Sequence, residues 1–135
     1  MSQPMCPVVH FEMPYRDAER ASTFYQAAFG WQVQALGSAM GHYLLATTAT
    51  SDQPGPGAVR GAIQGGLFPF SEQAPMQQPS VVIAVPDLRA AMARVQAAGG
   101  ELLGSPMAIP GVGDYLAFID TEGNRQSMLQ PLMPA

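Results

Sequence analysis

The sequence predicts a mixed α+β domain built from two βαβββ modules in tandem, and three observations support this fold class. Thirteen prolines and fourteen glycines are spread between apolar runs, which indicates many turns. Two amphipathic helical stretches each follow a short apolar run that ends near a proline. The order of strand, proline, aspartate, helix and glycine occurs twice. A chain of 135 residues that is 47% apolar can bury one sizeable core, so we expect a single domain over residues 1–135.

The first module is expected over about residues 8–68. Val8–Met13 alternates apolar and polar side chains as a strand does, and Pro14 is expected to end it. Asp17 is placed to cap a helix and Gly30 to stop it. The helix carries an apolar stripe, expected to pack on the sheet, that consists of Ala21, Phe24, Tyr25, Ala28 and Phe29. Further strands are expected at Trp31–Leu36, at His42–Thr48 and within Ala58–Phe68.

The second module is expected over about residues 80–131, after a Pro-rich connector at about 69–79. Val81–Val85 has the apolar, β-branched composition of a strand. Asp87 is placed to cap the second helix, and Gly100 closes it as Gly30 closes the first. Further strands are expected at Glu101–Leu103, Tyr115–Ile119 and Arg125–Leu129. The repeated order indicates an internal duplication.

Charge and cysteine content exclude several classes of function. The net charge is −4 and the six basic residues are scattered arginines, so nucleic acid is not an expected partner. The single Cys6 excludes an intramolecular disulfide and a Cys-x-x-Cys site, which favours a reducing compartment. No segment approaches the ~20 apolar residues of a membrane span, and the N-terminus lacks the pattern of a secretory signal. We therefore expect a cytoplasmic protein with no membrane partner.

Two stretches resemble the glyoxalase/bleomycin-resistance/dioxygenase superfamily, also called the vicinal oxygen chelate superfamily. The first is D-x-x-x-A-x-x-F-Y-x-x-x-F-G-W from Asp17 to Trp31, and the second is I-P-G-V-G followed by D-x-E-G-N from Ile109 to Asn124. The similarity spans Val8 to Gln130. It implies modules whose sheets curl around a shared cavity, and a homodimer. Known members isomerise, cleave or sequester small molecules, so the fold alone does not choose the chemistry.

The resemblance also implies where a metal would be held, namely by His and Glu side chains on the first and last strand of each module. Only His10 matches such a ligand. The other matching positions hold Ser80, Ser127, and Gln64 or a neighbouring glycine. Hydroxyls and carboxamides are weak ligands for transition metals, and a catalytic site uses about three protein ligands. We therefore predict no tightly held metal and no cofactor, with a divalent metal on His10 and Glu12 as the alternative.

His10 and Glu12 are the candidate catalytic residues. Because side chains alternate along a strand, both face the same side, with Cα atoms ~6.5 Å apart. An inward carboxylate is costly unless paired or wet, so Glu12 is a candidate general base. Two alternatives stay open for Glu12: a bulge turns it outward, or it pairs with an arginine such as Arg16 or Arg125. His10 is equally compatible with a hydrogen-bonded role in the cavity without catalysis.

The candidate ligand-binding set combines aromatic and polar side chains: His10, Glu12, Trp31, Tyr43, Gln64, Ser80, Tyr115 and Ser127. Its aromatic members offer apolar area and a polar tip, although core packing is the commoner role. The first hypothesis is a metal-independent small-molecule-binding protein. The second is a lyase or isomerase related to lactoylglutathione lyase, which uses a divalent metal or Glu12 as base. The third is an accessory interaction module, which would have a filled cavity and a large exposed apolar patch.

Overall fold

Two βαβββ modules follow each other along the chain in the computed structural model, which describes residues 5–49, 61–74 and 77–132. Module one contains β1 (Val8–Tyr15), α1 (Ala18–Phe29), β2 (Gln32–Ala35), a helical turn at Ser38–Met40, β3 (Leu44–Thr47) and β4 (Gln64–Pro69). Module two contains β5 (Ser80–Ala84), α2 (Leu88–Ala97), β6 (Glu101–Ile109), β7 (Gly113–Ile119) and β8 (Arg125–Pro131). The predicted α+β fold class and its duplicated element order are confirmed.

The chain divides into two compact units, His10–Pro79 and Ser80–Ala135 with Met1–Val9. In the first unit the strands lie in the order β2-β3-β4-β1, and β1 runs parallel to β4 while the other pairs are antiparallel. In the second unit the corresponding order is β6-β7-β8-β5, and β5 runs parallel to β8. In each unit the opening strand of the module therefore pairs with its closing strand.

The two helices begin where the sequence predicts. The carboxylates of Asp17 and Asp87 each accept the backbone N–H three residues ahead, at 2.9 and 3.0 Å, which satisfies a donor at each helix N-terminus. Gly30 ends α1 with φ 73°, a left-handed conformation that glycine adopts without strain. α2 ends at Ala97 with Ala98 as its C-cap, two residues before the predicted stop at Gly100. Within the described ranges, neither helix is long and apolar enough to cross a membrane.

No residue of the apolar stripe on α1 is fully buried, contrary to expectation. Tyr25 packs with the buried cluster of the first unit, which contains Leu44, Ala46 and Leu67. Phe24 and Phe29 are 54% and 64% exposed. Phe24 projects ~100° away from Tyr25 around the helix, and Phe29 is the last helical residue, beside a β2 of only four residues. The sheet is too small to cover the whole stripe.

Most strands differ from the prediction by one or two residues at an end, and β6 differs by six. β1 continues through Pro14, whose pairing with Phe68 keeps the register with β4, because a proline disturbs a ladder only where its nitrogen faces the neighbouring strand. β6 extends to Ile109, and its register with β7 shifts between Leu103 and Met107. Because of this irregularity, the segment lacks the regular alternation of apolar and polar side chains by which a strand is recognised in a sequence. β4 is predicted to lie within Ala58–Phe68, and it ends one residue later, at Pro69. Residues 58–60 are outside the described ranges.

Candidate functional site

Three side chains of the first unit meet on the sheet face opposite α1, and we call them the phenol trio: His10, Glu12 and Tyr43. The Tyr43 hydroxyl donates to Glu12 Oε2 at 2.9 Å and lies 3.0 Å from His10 Nε2. A carboxylate only accepts hydrogen bonds, and a tyrosine has one O–H proton. The phenol oxygen therefore accepts the N–H of His10 Nε2. The predicted common face of His10 and Glu12 is present, and one hydroxyl joins them.

Gly66 on β4 creates the space for this arrangement. It pairs with Glu12 in the parallel register of β1 and β4. A Cβ atom at Gly66 would stand 1.9 Å from the Tyr43 hydroxyl oxygen, and one at Gly65 would stand 2.2 Å from the Phe11 ring. The adjacent glycines thus admit an aromatic side chain on each face of the strand. The Gly-Gly pair, which fits no phosphate-binding motif, serves close packing instead.

Burial shifts the protonation equilibrium of the His10 imidazole. The imidazole is half-buried, and removal from water disfavours its charged form, which lowers the pKa of His10 below its ordinary value. Burial therefore favours the neutral ring, which has one N–H donor and one acceptor nitrogen. Since Nε2 carries the proton that Tyr43 accepts, the trio also selects the tautomer.

Gln64 pairs with His10 in the register of β1 and β4. Its side chain makes hydrogen bonds to backbone groups. Its Oε1 accepts from the Thr48 N–H at 2.6 Å, and its Nε2 donates to the Ala49 carbonyl at 2.7 Å. The amide thus ties β4 to the residues that follow β3. Its predicted contact with a ligand stays a prediction beside these hydrogen bonds.

The second unit holds a different pair, Tyr115 on β7 and Ser127 on β8. Their hydroxyl oxygens are 2.7 Å apart, and Ser127 is 2% exposed. A buried hydroxyl is costly without a partner, and Tyr115 supplies one. Ser80, the third candidate of this unit, begins β5 and is half-buried.

The strand registers show which positions of the two modules correspond. Glu12 pairs with Gly66 across β1 and β4, and Val82 pairs with Ser127 across β5 and β8. Val82 stands as far before Asp87 as Glu12 stands before Asp17. The counterpart of Ser127 is therefore Gly66, which lies two residues after Gln64 on β4, and not Gln64 itself.

The two tyrosines also correspond. Tyr43 lies two residues before the β3 partner of Gly66, and Tyr115 lies two residues before the β7 partner of Ser127. Sequence alone does not reveal this match, because the tyrosines stand in loops and strands of unequal length. It appears only when the strand pairs are aligned.

Trp31 lies away from the phenol trio. Its ring stacks on Tyr25 with centroids 4.6 Å apart and lies 5.5 Å from Phe11. These contacts place Trp31 on the α1 side of the sheet. They are the core contacts that the sequence also allowed, and the ligand-binding role of Trp31 stays a prediction.

The donor set does not fit the metal that the family resemblance implies. Among the described residues, no group of three or more His, Cys, Asp and Glu side chains is arranged to hold an ion. His10 and Glu12 are both engaged by Tyr43, and the corresponding positions hold Gly66, Ser80 and Ser127. About three good ligands are needed for a catalytic transition metal, so we derive no chemistry through one.

Two open depressions of the described surface lie beside the N-terminal half of α1, where Asp17, Arg20 and Phe24 line both. No residue of the phenol trio lines either one. Because they are open to solvent and mix opposite charges, we do not assign function to them. The hydrogen-bonded trio is the better candidate site.

The fold and the site together define a class. Paired βαβββ modules, in which each opening strand runs parallel to its closing strand, are the architecture expected of glyoxalase-like domains, and the site is a polar trio on one sheet face. A family model described as bleomycin resistance protein-like N-terminal matches residues 8–44. A glyoxylase-like domain-containing protein from Didymella fabae is 32% identical over 124 residues, which cover 87% of this chain and 88% of that protein.

Solved structures agree on the fold. A hypothetical protein from Bacillus halodurans has a TM-score of 0.69 at 12% identity, covering 98% of this chain and 99% of its own. Methylmalonyl-CoA epimerase from Mycobacterium tuberculosis has a TM-score of 0.66 at 18% identity, covering 93% and 88%. The chain belongs to the glyoxalase/bleomycin-resistance/dioxygenase superfamily, as its motifs predicted.

Proposed function

We propose that this protein binds a small molecule at the phenol trio without a transition metal. One observation supports this most strongly: a single hydroxyl lies 2.9 Å from the Glu12 carboxylate and 3.0 Å from the His10 imidazole. The two side chains best suited to ligate a metal are thus joined by a phenol. Both are held in a fixed geometry that suits recognition of a ligand.

The apolar neighbours of the trio support the proposal. By strand alternation, Leu45 and Phe68 lie on the same sheet face as Glu12, and both are half-buried. Ligand sites typically combine such apolar neighbours with a few placed polar groups. The cavity shared by two modules, which the family resemblance implies, is part of this proposal.

A thermal-shift screen of a small-molecule library tests the proposal. Compounds that stabilise the wild-type protein should lose their effect in His10→Ala and in Glu12→Gln. His42→Ala is the matched control, because His42 is exposed and lies outside the trio, and it should keep every response. A library that stabilises all four proteins equally would contradict the site, and so would the absence of any stabilising compound.

A second candidate function is an isomerase in which Glu12 acts as general base. The observation that favours it is a carboxylate held beside a hydroxyl on the sheet face opposite α1, in a fold shared with methylmalonyl-CoA epimerase. The Glu12 carboxylate would take a proton from a carbon next to a carbonyl and return it. Incubation of methylmalonyl-CoA in D₂O tests this scheme: deuterium should enter that carbon with wild-type protein and not with Glu12→Gln. Equal exchange in both would exclude Glu12 as the base.

Self-association is a further proposal, supported by the exposure of Phe24 and Phe29 on α1. Apolar side chains on one helix suit burial against a second copy. Light scattering should give a dimer mass for wild-type protein and a monomer mass for Phe24→Ser combined with Phe29→Ser. Monomeric wild-type protein would contradict a homodimer. A cytoplasmic location stays a prediction from the cysteine content.

A further inference from the structure

We infer that Nδ1 of His10 is the ligand-contacting acceptor of the phenol trio, and that the site selects small molecules presenting a neutral O–H or N–H donor. This inference depends on the proposed function and deepens it, because it names the contacting atom and the ligand chemistry. It follows from the hydrogen-bond geometry around Tyr43 and from the solvent access of the His10 ring.

The first step is an account of the protons in the trio. The Tyr43 hydroxyl gives its only proton to Glu12 Oε2 at 2.9 Å, so its oxygen takes the proton on His10 Nε2 at 3.0 Å. A neutral imidazole has a single N–H. With that N–H directed at Tyr43, Nδ1 carries a lone pair and no proton.

The second step is the accessibility of Nδ1. Among the described residues, the only hydrogen bond of the His10 side chain is the one to Tyr43. Among the same described residues, no buried side-chain nitrogen or oxygen lacks a hydrogen-bond partner. His10 is half-buried, so an Nδ1 atom without a partner must be one that solvent reaches. A small molecule can therefore reach the same atom.

The third step is the fixed state of the ring. Gly66 leaves the space in which the Tyr43 hydroxyl lies, since a Cβ there would stand 1.9 Å from it. Tyr43 holds Nε2, and burial favours the neutral imidazole. The tautomer is thus set by Tyr43 before a ligand arrives, and a pre-set acceptor binds a donor at a lower reorganisation cost. A neutral acceptor matches a neutral O–H or N–H group.

The tautomer can be measured directly, because the chain has only two histidines. Long-range ¹H–¹⁵N NMR of protein labelled in histidine should show His10 protonated at Nε2 and unprotonated at Nδ1. Tyr43→Phe removes the acceptor, and the spectrum should then show a mixture of tautomers. His42 serves as the internal control, because its tautomer pattern should not change in the variant. A wild-type His10 protonated at Nδ1 would overturn the inference.

Phenol and anisole form a matched pair of probes that differ by the methyl cap on the donor oxygen. Titrated against the labelled protein, phenol should shift the His10 Nδ1 resonance and bind about 2- to 10-fold more tightly than anisole. Tyr43→Phe should reduce that preference, and a folded amide spectrum of the variant is required for the comparison. Equal binding of the two probes by wild-type protein would contradict donor selection.

These outcomes separate the inference from the proposed function. If library compounds bind in a His10-dependent manner while His10 is protonated at Nδ1, the site stands and the assigned acceptor is wrong. If Nε2 carries the proton but no compound binds, the proposed function fails, and donor selection fails with it.

Discussion

The two modules carry a tyrosine at corresponding positions and use it differently. In module one, Tyr43 lies over Gly66 and reaches both His10 and Glu12. In module two, Tyr115 meets the hydroxyl of Ser127 at 2.7 Å. The residues that correspond to His10 and Glu12 there are Ser80 and Val82. One module therefore concentrates its titratable groups on one sheet face, and the other places a hydroxyl pair in the same position.

The closing-strand residue accounts for this difference. Gly66 has no side chain, so the Tyr43 hydroxyl extends to the opening strand, whereas Ser127 offers a partner on the closing strand itself. A duplicated fold can place a site in one copy and a structural contact in the other, because each copy has its own core. The comparison predicts that substitutions at matched positions have unequal effects.

The largest effect is expected for Gly66→Ser, which gives module one the residue of module two. The new Cβ would stand 1.9 Å from the Tyr43 hydroxyl and displace it, which breaks both hydrogen bonds of the trio. We expect a loss of about 2–4 kcal/mol in the free energy of unfolding, measured by urea denaturation. Ala35→Ser on the exposed end of β2 adds a hydroxyl to the same sheet and should cost little. Equal stability of the two variants would show that Gly66 does not control Tyr43.

A smaller effect is expected when the two tyrosine hydroxyls are removed. Tyr43→Phe deletes a hydrogen bond to a carboxylate and should cost about 1.5–3 kcal/mol, because charged acceptors bind more strongly. Tyr115→Phe deletes a bond between neutral hydroxyls and should cost about 0.5–1.5 kcal/mol. Both are measured by thermal or urea unfolding under the same conditions. A Tyr115→Phe variant less stable than Tyr43→Phe would reverse the comparison.

The smallest effect is a pH dependence specific to module one. Burial lowers the pKa of folded His10, so below about pH 6.5, the ordinary histidine value, the unfolded chain binds the proton more readily. Stability is therefore full above pH 6.5 and is lost as pH falls toward the folded pKa. His10→Gln should flatten this slope in urea unfolding between pH 7 and 5, while Ser80→Ala at the matched position should leave it unchanged. A wild-type slope of the opposite sign would mean that the folded protein favours charged His10.

The secondary-structure elements, and the common face of His10 and Glu12 on β1, could be predicted from sequence because their signals are local. Asp17 and Asp87 lie at the helix starts, and alternation puts His10 and Glu12 on one face. The contact of Tyr43 with both could not be predicted, since it depends on the register of three strands and on the empty space at Gly66. The same holds for the packing of Trp31 and for the hydrogen bonds of Gln64 to the backbone, because both depend on residues distant in sequence.

The most direct test of the account is the metal content of the purified, untagged protein. After incubation with Ni, Zn, Mn or Fe(II) and dialysis, elemental analysis of wild-type protein should find no near-stoichiometric metal, because Tyr43 engages His10 and Glu12 and the corresponding positions offer no further strong ligand. Near-stoichiometric metal that His10→Ala fails to retain would contradict a phenol-centred site.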